Sequence, residues 1–235
     1  MVRLNRARAL AYVSWLTSLS SGSVSGEPLP IAVLVSGTGT NLQALLDTVH
    51  GNEVEIVAVA CDVPDAPALA RAAARGVHTA VFERSTYADR EARDAAMADW
   101  LAQRGARLVV LAGYMALLSD PFLDRFEGEV INVHPSLLPA FPGLHAIEQA
   151  LSYGVKVFGV TVHLVDAGVD SGPVILQRAI ELPDARDPDE VLAALRPIEH
   201  SLLPEAVRLF ARGAIRRDPE HPRRILIDAR PARRS

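Results

Sequence analysis

Short β-branched runs alternate with helical patterns from residue 30 onward, and this alternation limits the possible folds more than any other feature. Residues 29–36, LPIAVLVS, form a continuous apolar run of the length expected for a strand buried on both faces. Residues 40–50, TNLQALLDTVH, follow with leucines at helical spacing. A repeated strand–helix–strand pattern predicts a parallel sheet with right-handed crossovers.

The same pattern continues for another hundred residues. The further predicted strands and helices, in chain order, are VEIVAVACD (54–62), PALARAAARG (67–76), HTAVFE (78–83), DREARDAAMADWLAQRG (89–105), ARLVVLAGY (106–114), SDPFLDRF (119–126) and GEVINVH (128–134). In folds of this type, ligands bind beyond the carboxyl ends of the parallel strands. We therefore look for functional residues in the loops that follow these strands.

The pattern changes after residue 150. VKVFGVTVHLVDAG (155–168) and GPVILQRAIEL (172–182) resemble two strands joined by a hairpin, and residues 188–212 form a final helical stretch. The sequence thus predicts an α/β fold, with a doubly wound, mostly parallel sheet and an antiparallel carboxyl-terminal hairpin in the same sheet. We expect one domain at residues 30–212, because no linker interrupts the pattern.

Charge and cysteine content narrow the class of protein. The formal net charge is −4, with both ends net positive and the body between them net negative. An acidic body with only 5% aromatic residues does not indicate a nucleic-acid partner. Cys61 is the only cysteine, so neither an intrachain disulfide nor a thiolate metal cluster is expected. A single buried cysteine fits a reducing compartment, which predicts a cytoplasmic protein.

The two ends of the chain are predicted to be extensions of this domain. Residues 1–29 combine a basic start with an apolar stretch, as a signal peptide does, but polar and aromatic side chains interrupt that stretch. The stretch is also too short to span a bilayer. We expect a flexible extension at 1–29, a solvated basic tail at 213–235, and no membrane association.

The first candidate site is the glycine-rich turn VSGTGTN at residues 35–41. Gly37 and Gly39 permit close approach of the backbone to an anion, and the amides of Thr40 and Asn41 would face it at the start of a helix. The turn is neither a Walker loop nor a dinucleotide fingerprint, since Leu42 occupies the place of the last glycine. The alternative is an ordinary tight turn with a helix cap.

The second candidate is the pair Asn132 and His134, at the end of a predicted strand. Residues two apart on a strand point to the same face, so both side chains should face whatever lies beyond the strand end. Histidine supplies a proton donor near neutral pH, and asparagine supplies an amide donor for a developing oxyanion. No paired His or Glu spacing accompanies His134, which disfavours a metal site. A purely structural histidine is the alternative.

A carboxylate beside His134 would stabilise its protonated form. Residues 163–173, HLVDAGVDSGP, offer Asp166 and Asp170, and the spacing leaves the choice between them open. Either residue could instead serve only the turn. Ser136 does not form a Ser–His hydrolase pair, because Pro135 separates it from His134 and no G-x-S-x-G elbow is present.

Five segments together resemble the folate-dependent phosphoribosylglycinamide formyltransferases. They are VLVSGTGTNLQALLD (33–47), LVVLAGYMALLS (108–119), INVHPSLLPAFPGLHA (131–146), GVTVHLVDAGVDSGPVILQ (159–177) and IEHSLLPEAV (198–207). The resemblance extends from about residue 31 to residue 212 and implies a Rossmann-like formyltransferase fold. It also implies transfer of a formyl group from 10-formyltetrahydrofolate to the amine of glycinamide ribonucleotide, in de novo purine biosynthesis.

The resemblance implies roles for individual residues. Asn132, His134 and Asp170 match the catalytic trio of the family, which selects Asp170 over Asp166. The amine is then expected to attack the formyl carbon directly, through a tetrahedral intermediate. Binding roles are implied for three further groups: Gly39, Thr40 and Asn41 for the substrate phosphate; Arg90 and Glu199 for the rest of the ribonucleotide; and Met115, Ala116, Leu117, Leu118, Asp166, Ala167, Gly168 and Val169 for the folate.

The resemblance further implies small-molecule substrates, no metal, and a monomer or homodimer. Three positions depart from the pattern that is common in the family: Ala116 stands in place of Arg, Arg196 in place of Gln, and Thr38 in place of Asn. None of the three belongs to the catalytic trio.

Alternatives are other formyl-folate enzymes and a non-catalytic nucleotide- or folate-binding module. We expect a methionyl-tRNA formyltransferase to carry an additional carboxyl-terminal domain, and a formyltetrahydrofolate deformylase to carry a regulatory domain ahead of the catalytic one. A short-chain dehydrogenase is disfavoured, since the chain lacks both the dinucleotide fingerprint and a Tyr-x-x-x-Lys pair.

Overall fold

The structure is a computed structural model that describes residues 27–228. The predicted extension at 1–29 lies almost wholly outside the described residues, as does the end of the predicted tail at 229–235. Within the described range, no helix is both long enough and apolar enough to cross a membrane.

In the described part of the chain, seven strands form the main sheet, in the spatial order β3-β2-β1-β4-β5-β6-β7. In chain order they are β1 (Leu29–Val35), β2 (Val54–Cys61), β3 (His78–Val81), β4 (Leu108–Leu111), β5 (Val130–His134), β6 (Val157–Leu164) and β7 (Val174–Glu181). The first five are parallel, whereas β6 runs antiparallel to both β5 and β7. The prediction of a mostly parallel sheet with an antiparallel pair in the same sheet is confirmed.

Among residues 27–228, six α-helices cover the two faces of this sheet. They are α1 (Thr40–Thr48), α2 (Pro67–Ala73), α3 (Arg90–Ala102), α4 (Asp120–Arg125), α5 (Ala146–Tyr153) and α6 (Pro188–Ala211). Helices α1, α2, α5 and α6 contribute to one buried apolar cluster, while α3 and α4 contribute to the other.

The alternation of side chains along a strand divides the core between these two layers. On β1, Ile31 and Val33 belong to the cluster shared with α1 and α6, while Ala32 and Leu34 belong to the cluster shared with α3. All four side chains are fully buried. This explains why the strand is a continuous apolar run and not an alternating one.

Two elements were not predicted from the sequence. Helix α5 follows the proline-rich loop, and a two-stranded antiparallel hairpin, β8 (Ile215–Arg217) with β9 (Ile225–Ile227), occupies part of the segment predicted to be a basic tail. The guanidinium of Arg223 donates to the carbonyl oxygen of Ser171 at 2.6 Å. Up to residue 228, this segment is therefore folded against the body of the protein.

Close packing at Gly159 fixes the antiparallel half of the sheet. A Cβ atom at this position of β6 would overlap the Leu137 side chain and the carbonyl oxygen of Arg178 on β7. A backbone oxygen in a strand pair cannot move away without disturbing the pairing. The glycine thereby allows the loop after β5 to lie directly on β6.

We expect Gly159→Ala to lower the free energy of unfolding by about 1–3 kcal/mol, because the added methyl group has no space. Urea denaturation followed by circular dichroism measures this change. Gly37→Ala is the matched control, since a Cβ there meets no atom within 4 Å. An equal loss of stability in both variants would contradict the packing argument.

Candidate active site

A cavity of about 440 Å³ opens beyond the carboxyl ends of β4 and β5. Most of its wall comes from three segments: the loop after β4, the end of β5 with the loop that follows it, and the loop between β6 and β7. Asn132, His134 and Asp170 all line it. The structure thus brings together the three residues that the sequence, helped by the family resemblance, grouped as a catalytic trio.

Asp170 contacts both other members of the trio. Its Oδ2 lies 3.3 Å from Nδ1 of His134, and its Oδ1 lies 3.2 Å from Nδ2 of Asn132. Asp166, the other candidate, accepts from the amide of Gly168 and the hydroxyl of Ser171, within its own turn. The geometry therefore places Asp170, and not Asp166, beside the histidine.

His134 is buried, and both of its ring nitrogens face acceptors. Nε2 lies 2.9 Å from the carbonyl oxygen of Phe141, and Nδ1 faces the carboxylate of Asp170. Carbonyl and ionised carboxylate oxygens can only accept, so a proton on either ring nitrogen has an acceptor nearby. The surroundings of this histidine can therefore accommodate its protonated form.

Asp170 is held as a carboxylate. Burial acts to raise its pKa, but contact with His163, the amide of Gly143 at 2.7 Å and the charge of His134 together lower the pKa to about 2. The backbone φ of Asp170 is +46°, a conformation that few residues other than glycine adopt. The turn is thus held in an unusual shape that directs the carboxylate toward the cavity.

His163 is a site residue that the sequence analysis missed. It lies on β6 directly opposite Asn132 in the β5–β6 register, and its side chain is buried. Its Nε2 is 3.2 Å from Nδ2 of Asn132 and 3.4 Å from Oδ1 of Asp170. Only the antiparallel register brings these groups together, so the spacing in the sequence gave no signal.

The glycine-rich turn forms the start of α1, as predicted. Gly39 has φ +72°, and a Cβ atom there would lie 2.7 Å from Cβ of Ala68, so both conformation and space require glycine. Thr40 opens the helix, and Asn41 Nδ2 donates to Oε2 of Glu199 on α6 at 3.1 Å. The amides at this helix start are suited to an anion.

Glu199 and Asn41 form a buried polar pair at this turn. Burial raises the pKa of Glu199, while the hydrogen bond from Asn41 and the charge of Arg196 act in the opposite direction. The side-chain oxygen Oδ1 of Asn41 is buried without a hydrogen-bond partner in the described part of the chain. A buried polar atom left in this way is available to a ligand that brings a donor.

The loop after β4 gives the cavity its apolar wall. Met115 and Leu117 are 60% and 57% exposed, and Ala116 is buried behind them. Met115 N donates to Oγ of Ser36, which in turn donates to Asp62. This chain of hydrogen bonds fixes the start of the loop despite its exposed side chains.

The far end of the same loop is anchored by a buried ion pair. The guanidinium of Arg93 donates to Asp94, whose second oxygen accepts the amide of Ser119 at 2.7 Å. Both charged side chains are almost completely buried. The loop is thereby held at both ends, which gives the cavity a defined shape.

Arg90 and Glu199 lie in different places, although the family resemblance grouped them as ribonucleotide contacts. Arg90 lines the cavity together with Met115, Leu117 and Asp170, while Glu199 adjoins the glycine-rich turn. Residues 39–41 and Glu199 are not among the residues that line the cavity. All eight residues implied for folate binding, at 115–118 and 166–169, do line it.

Among residues 27–228, no three His, Cys, Asp or Glu side chains are grouped so that they could hold a metal ion. The contacts at the centre of the site join the amide of Asn132, the carboxylate of Asp170 and the imidazoles of His134 and His163.

Comparison with known proteins points to one family. Residues 29–207 match the model of the formyl transferase family. A phosphoribosylglycinamide formyltransferase of Bacillus subtilis (strain 168) is 38% identical over 179 residues, which cover 75% of this chain and 92% of the relative. A trifunctional purine biosynthetic protein adenosine-3 of Drosophila melanogaster is 39% identical, and the chain spans only 14% of its length.

Solved structures agree with this result. The crystal structure of glycinamide ribonucleotide transformylase 1 from Symbiobacterium toebii superposes with a TM-score of 0.82 at 44% identity, covering 86% of this chain and 95% of that one. A phosphoribosylglycinamide formyltransferase from Anaplasma phagocytophilum superposes with a TM-score of 0.79 at 32% identity, covering 86% and 95% of the two chains.

The ionisation of Asp170 should contribute to stability. Its pKa is about 2 in the folded protein against an ordinary value of 3.8, so the contribution is complete above about pH 4 and is lost as pH falls toward 2. We expect Asp170→Asn to lower the free energy of unfolding at pH 6 by about 2 kcal/mol. Chemical denaturation at pH 6 and pH 2.5 measures the difference in the free energy of unfolding between the unaltered protein and Asp170→Asn. A difference of equal size at both pH values would contradict the assignment.

Proposed function

The chain belongs to the phosphoribosylglycinamide formyltransferases of the formyl transferase family, and from this membership we propose that it transfers a formyl group from 10-formyltetrahydrofolate to the amine of glycinamide ribonucleotide. The reaction is a step of de novo purine biosynthesis. The observation that carries the proposal is the convergence of Asn132, His134 and Asp170 on one cavity.

The glycine-rich turn is suited to the phosphate of the ribonucleotide. The backbone amides at Gly39, Thr40 and Asn41 begin α1, where the helix dipole favours an anion. The Glu199 carboxyl, held by Asn41, is suited to receive N–H or O–H groups of the ribonucleotide beside its phosphate.

The cavity is suited to the folate cosubstrate. Four side chains on its wall are apolar and strongly exposed, as expected of a surface that a flat ring system covers: Met115, Leu117, Leu144 and Val169. The loop segments 115–118 and 166–169 add backbone donors and acceptors along the same wall. Arg90 provides the wall with a cationic side chain, which suits an anionic cosubstrate.

The proposed chemistry is direct acyl transfer. The amine nitrogen attacks the formyl carbon, and the carbonyl π electrons move to oxygen and form a tetrahedral oxyanion. Protonated His134 and the amide of Asn132 donate hydrogen bonds to this oxygen. The C–N10 bond then breaks as the oxyanion collapses, the amine loses one proton, and N10 of the folate gains one.

Asp170 supports this step in two ways. Its carboxylate lies against Nδ1 of His134, so it stabilises the imidazolium and fixes the direction of the ring. Its other oxygen holds one N–H of Asn132. In the free protein His134 Nε2 contacts the carbonyl oxygen of Phe141. That oxygen occupies the place that the formyl oxygen would take during the reaction.

An assay of the purified protein with 10-formyltetrahydrofolate and glycinamide ribonucleotide tests the proposal. We expect folate turnover that requires the ribonucleotide, which absorbance spectroscopy follows. Turnover without the ribonucleotide would indicate a deformylase, and turnover only with initiator tRNA would indicate a tRNA formyltransferase. Binding of both small molecules without turnover would indicate a non-catalytic module.

The variant His134→Ala connects this activity to the site. We expect kcat to fall about 10²–10³-fold, because one donor to the oxyanion is lost. Ribonucleotide affinity, measured by calorimetry, should change little, since the phosphate turn lies outside the cavity. His78→Ala, an exposed residue on the edge strand β3, is the matched control and should leave kcat unchanged.

A second pair of variants separates the two binding regions. We expect Arg90→Gln to raise KM for the folate, because Arg90 lines the cavity. Glu199→Gln should instead raise KM for the ribonucleotide, because Glu199 adjoins the phosphate turn. Initial-rate kinetics with each substrate varied in turn measures both constants. The opposite pattern would contradict the placement of the two substrates.

A further inference from the structure

The side chain of His163 has no part in the chemistry derived so far, yet it lies against the proposed reaction centre. It is only 1% exposed and is the cross-strand partner of Asn132. Three polar atoms surround its ring: the carbonyl oxygen of Leu164, the amide nitrogen of Asn132 and one carboxylate oxygen of Asp170. The donors and acceptors among these groups determine which ring nitrogens of His163 carry a proton.

One ring nitrogen of His163 must carry a proton. Nδ1 lies 2.9 Å from the carbonyl oxygen of Leu164, which can only accept a hydrogen bond. The hydrogen bond therefore requires a proton on Nδ1. The state of the ring then depends on Nε2: with a second proton the ring is cationic, and with a lone pair it is neutral.

The orientation of the Asn132 amide is fixed independently by Asp170. The atom of Asn132 that lies 3.2 Å from Oδ1 of Asp170 must be the nitrogen, because an amide oxygen there would face an ionised carboxylate with no proton between them. Asp170 is ionised near neutral pH, since the amide of Gly143 donates to its Oδ2 at 2.7 Å and His134 lies against the same oxygen. The same nitrogen, Nδ2, is the atom 3.2 Å from Nε2 of His163.

An amide nitrogen is only a donor, so the ring nitrogen that faces it must hold a lone pair. We propose that His163 is a positioning residue whose neutral ring, with its proton on Nδ1, accepts a hydrogen bond at Nε2 from Asn132 and so fixes the amide used in formyl transfer. The role in transfer rests on the proposed function, while the state of the ring rests only on the contacts described.

Burial and charge support this assignment. Charging a side chain that is 1% exposed costs desolvation energy. Asp170 is already paired with His134, both of whose nitrogens face acceptors. A second imidazolium at the same carboxylate would repel the first. The two histidines therefore differ in their surroundings: both ring nitrogens of His134 face acceptors, whereas Nε2 of His163 faces a donor.

The consequence concerns the direction of the Asn132 amide. In the free protein one of its N–H groups is held by Asp170 and the other by His163, so the plane of the amide is fixed before any substrate binds. In the proposed reaction the formyl oxygen replaces the Asp170 oxygen as acceptor of the first N–H, while His163 keeps the second and with it the plane of the amide. A donor group whose plane is already fixed needs little reorganisation during the reaction. Without the acceptor on His163, the amide could rotate away from the formyl oxygen.

Nitrogen-15 NMR of the free protein tests the state of the ring without any substrate. We expect the signals of His163, identified by their absence in His163→Gln, to show a protonated Nδ1 and an unprotonated Nε2 at pH 7.5. A protonated Nε2 at that pH would overturn the proposal. If His163→Gln fails to fold, nuclear Overhauser contacts to the Asn132 amide identify the same signals in the unaltered protein.

Two variants of similar size test the role in the reaction. In His163→Gln the amide oxygen can reach the place of Nε2 and accept from Asn132, whereas in His163→Asn the amide nitrogen can reach only the place of Nδ1 and donate to Leu164. We expect kcat within about tenfold of the unaltered protein for the first, and a loss of up to ~10²-fold for the second. KM for both substrates should change little.

The outcomes separate this proposal from the proposed function. Equal losses of kcat in the two variants, with thermal unfolding like that of the unaltered protein, would show that the acceptor toward Asn132 is not what matters, and would overturn the positioning role. An unaltered protein without formyl transfer would refute the proposed function, while the NMR result would still decide the state of the ring.

Discussion

The ionised carboxylate of Asp170 is the group on which the rest of the site depends. It connects β5 to the loop between β6 and β7, through the ring of His134, the amide of Asn132 and the backbone of Gly143. A carboxylate as buried as this one is tolerated only because donors surround it. Those donors thereby become fixed in position. Two of them, the ring of His134 and the amide of Asn132, are the groups that the proposed reaction uses.

The sheet explains how such a site can form. The carboxyl ends of the parallel strands lie at the same edge of the sheet. Strand β6 runs in the opposite direction beside β5. This switch puts His163 directly across from Asn132, and it brings the loop after β6 back over the end of β5. The buried polar groups are therefore supplied by rigid strands and one tightly held turn, which is an arrangement suited to preorganised donors.

Much of this architecture could be predicted from the sequence, because it depends on local patterns. Continuous β-branched runs indicated doubly buried strands, and the two-residue spacing of Asn132 and His134 indicated a shared face. The choice of Asp170 over Asp166 needed the family resemblance, since both lie in one turn and only the three-dimensional path of the chain separates them. His163 was missed because its contact with Asn132 depends on strand register, which hydrophobic spacing does not specify.

Two elements outside the site were missed for related reasons. Helix α5 is short and begins directly after His145, whose φ of +60° marks a sharp turn that the sequence does not reveal. The β8–β9 hairpin consists of three-residue strands in an arginine-rich segment, where charge dominates the pattern. Arg223 of this segment also contacts the carbonyl oxygen of Ser171, a tertiary contact that local patterns do not reveal.

A crystal structure of the protein with glycinamide ribonucleotide and a non-transferable 10-formyl folate analogue would test the central claim most directly. The account predicts that the phosphate lies on the turn at residues 39–41, and that the formyl oxygen lies within hydrogen-bonding distance of both Asn132 Nδ2 and a ring nitrogen of His134. A formyl group bound elsewhere in the cavity, out of reach of these two atoms, would contradict it.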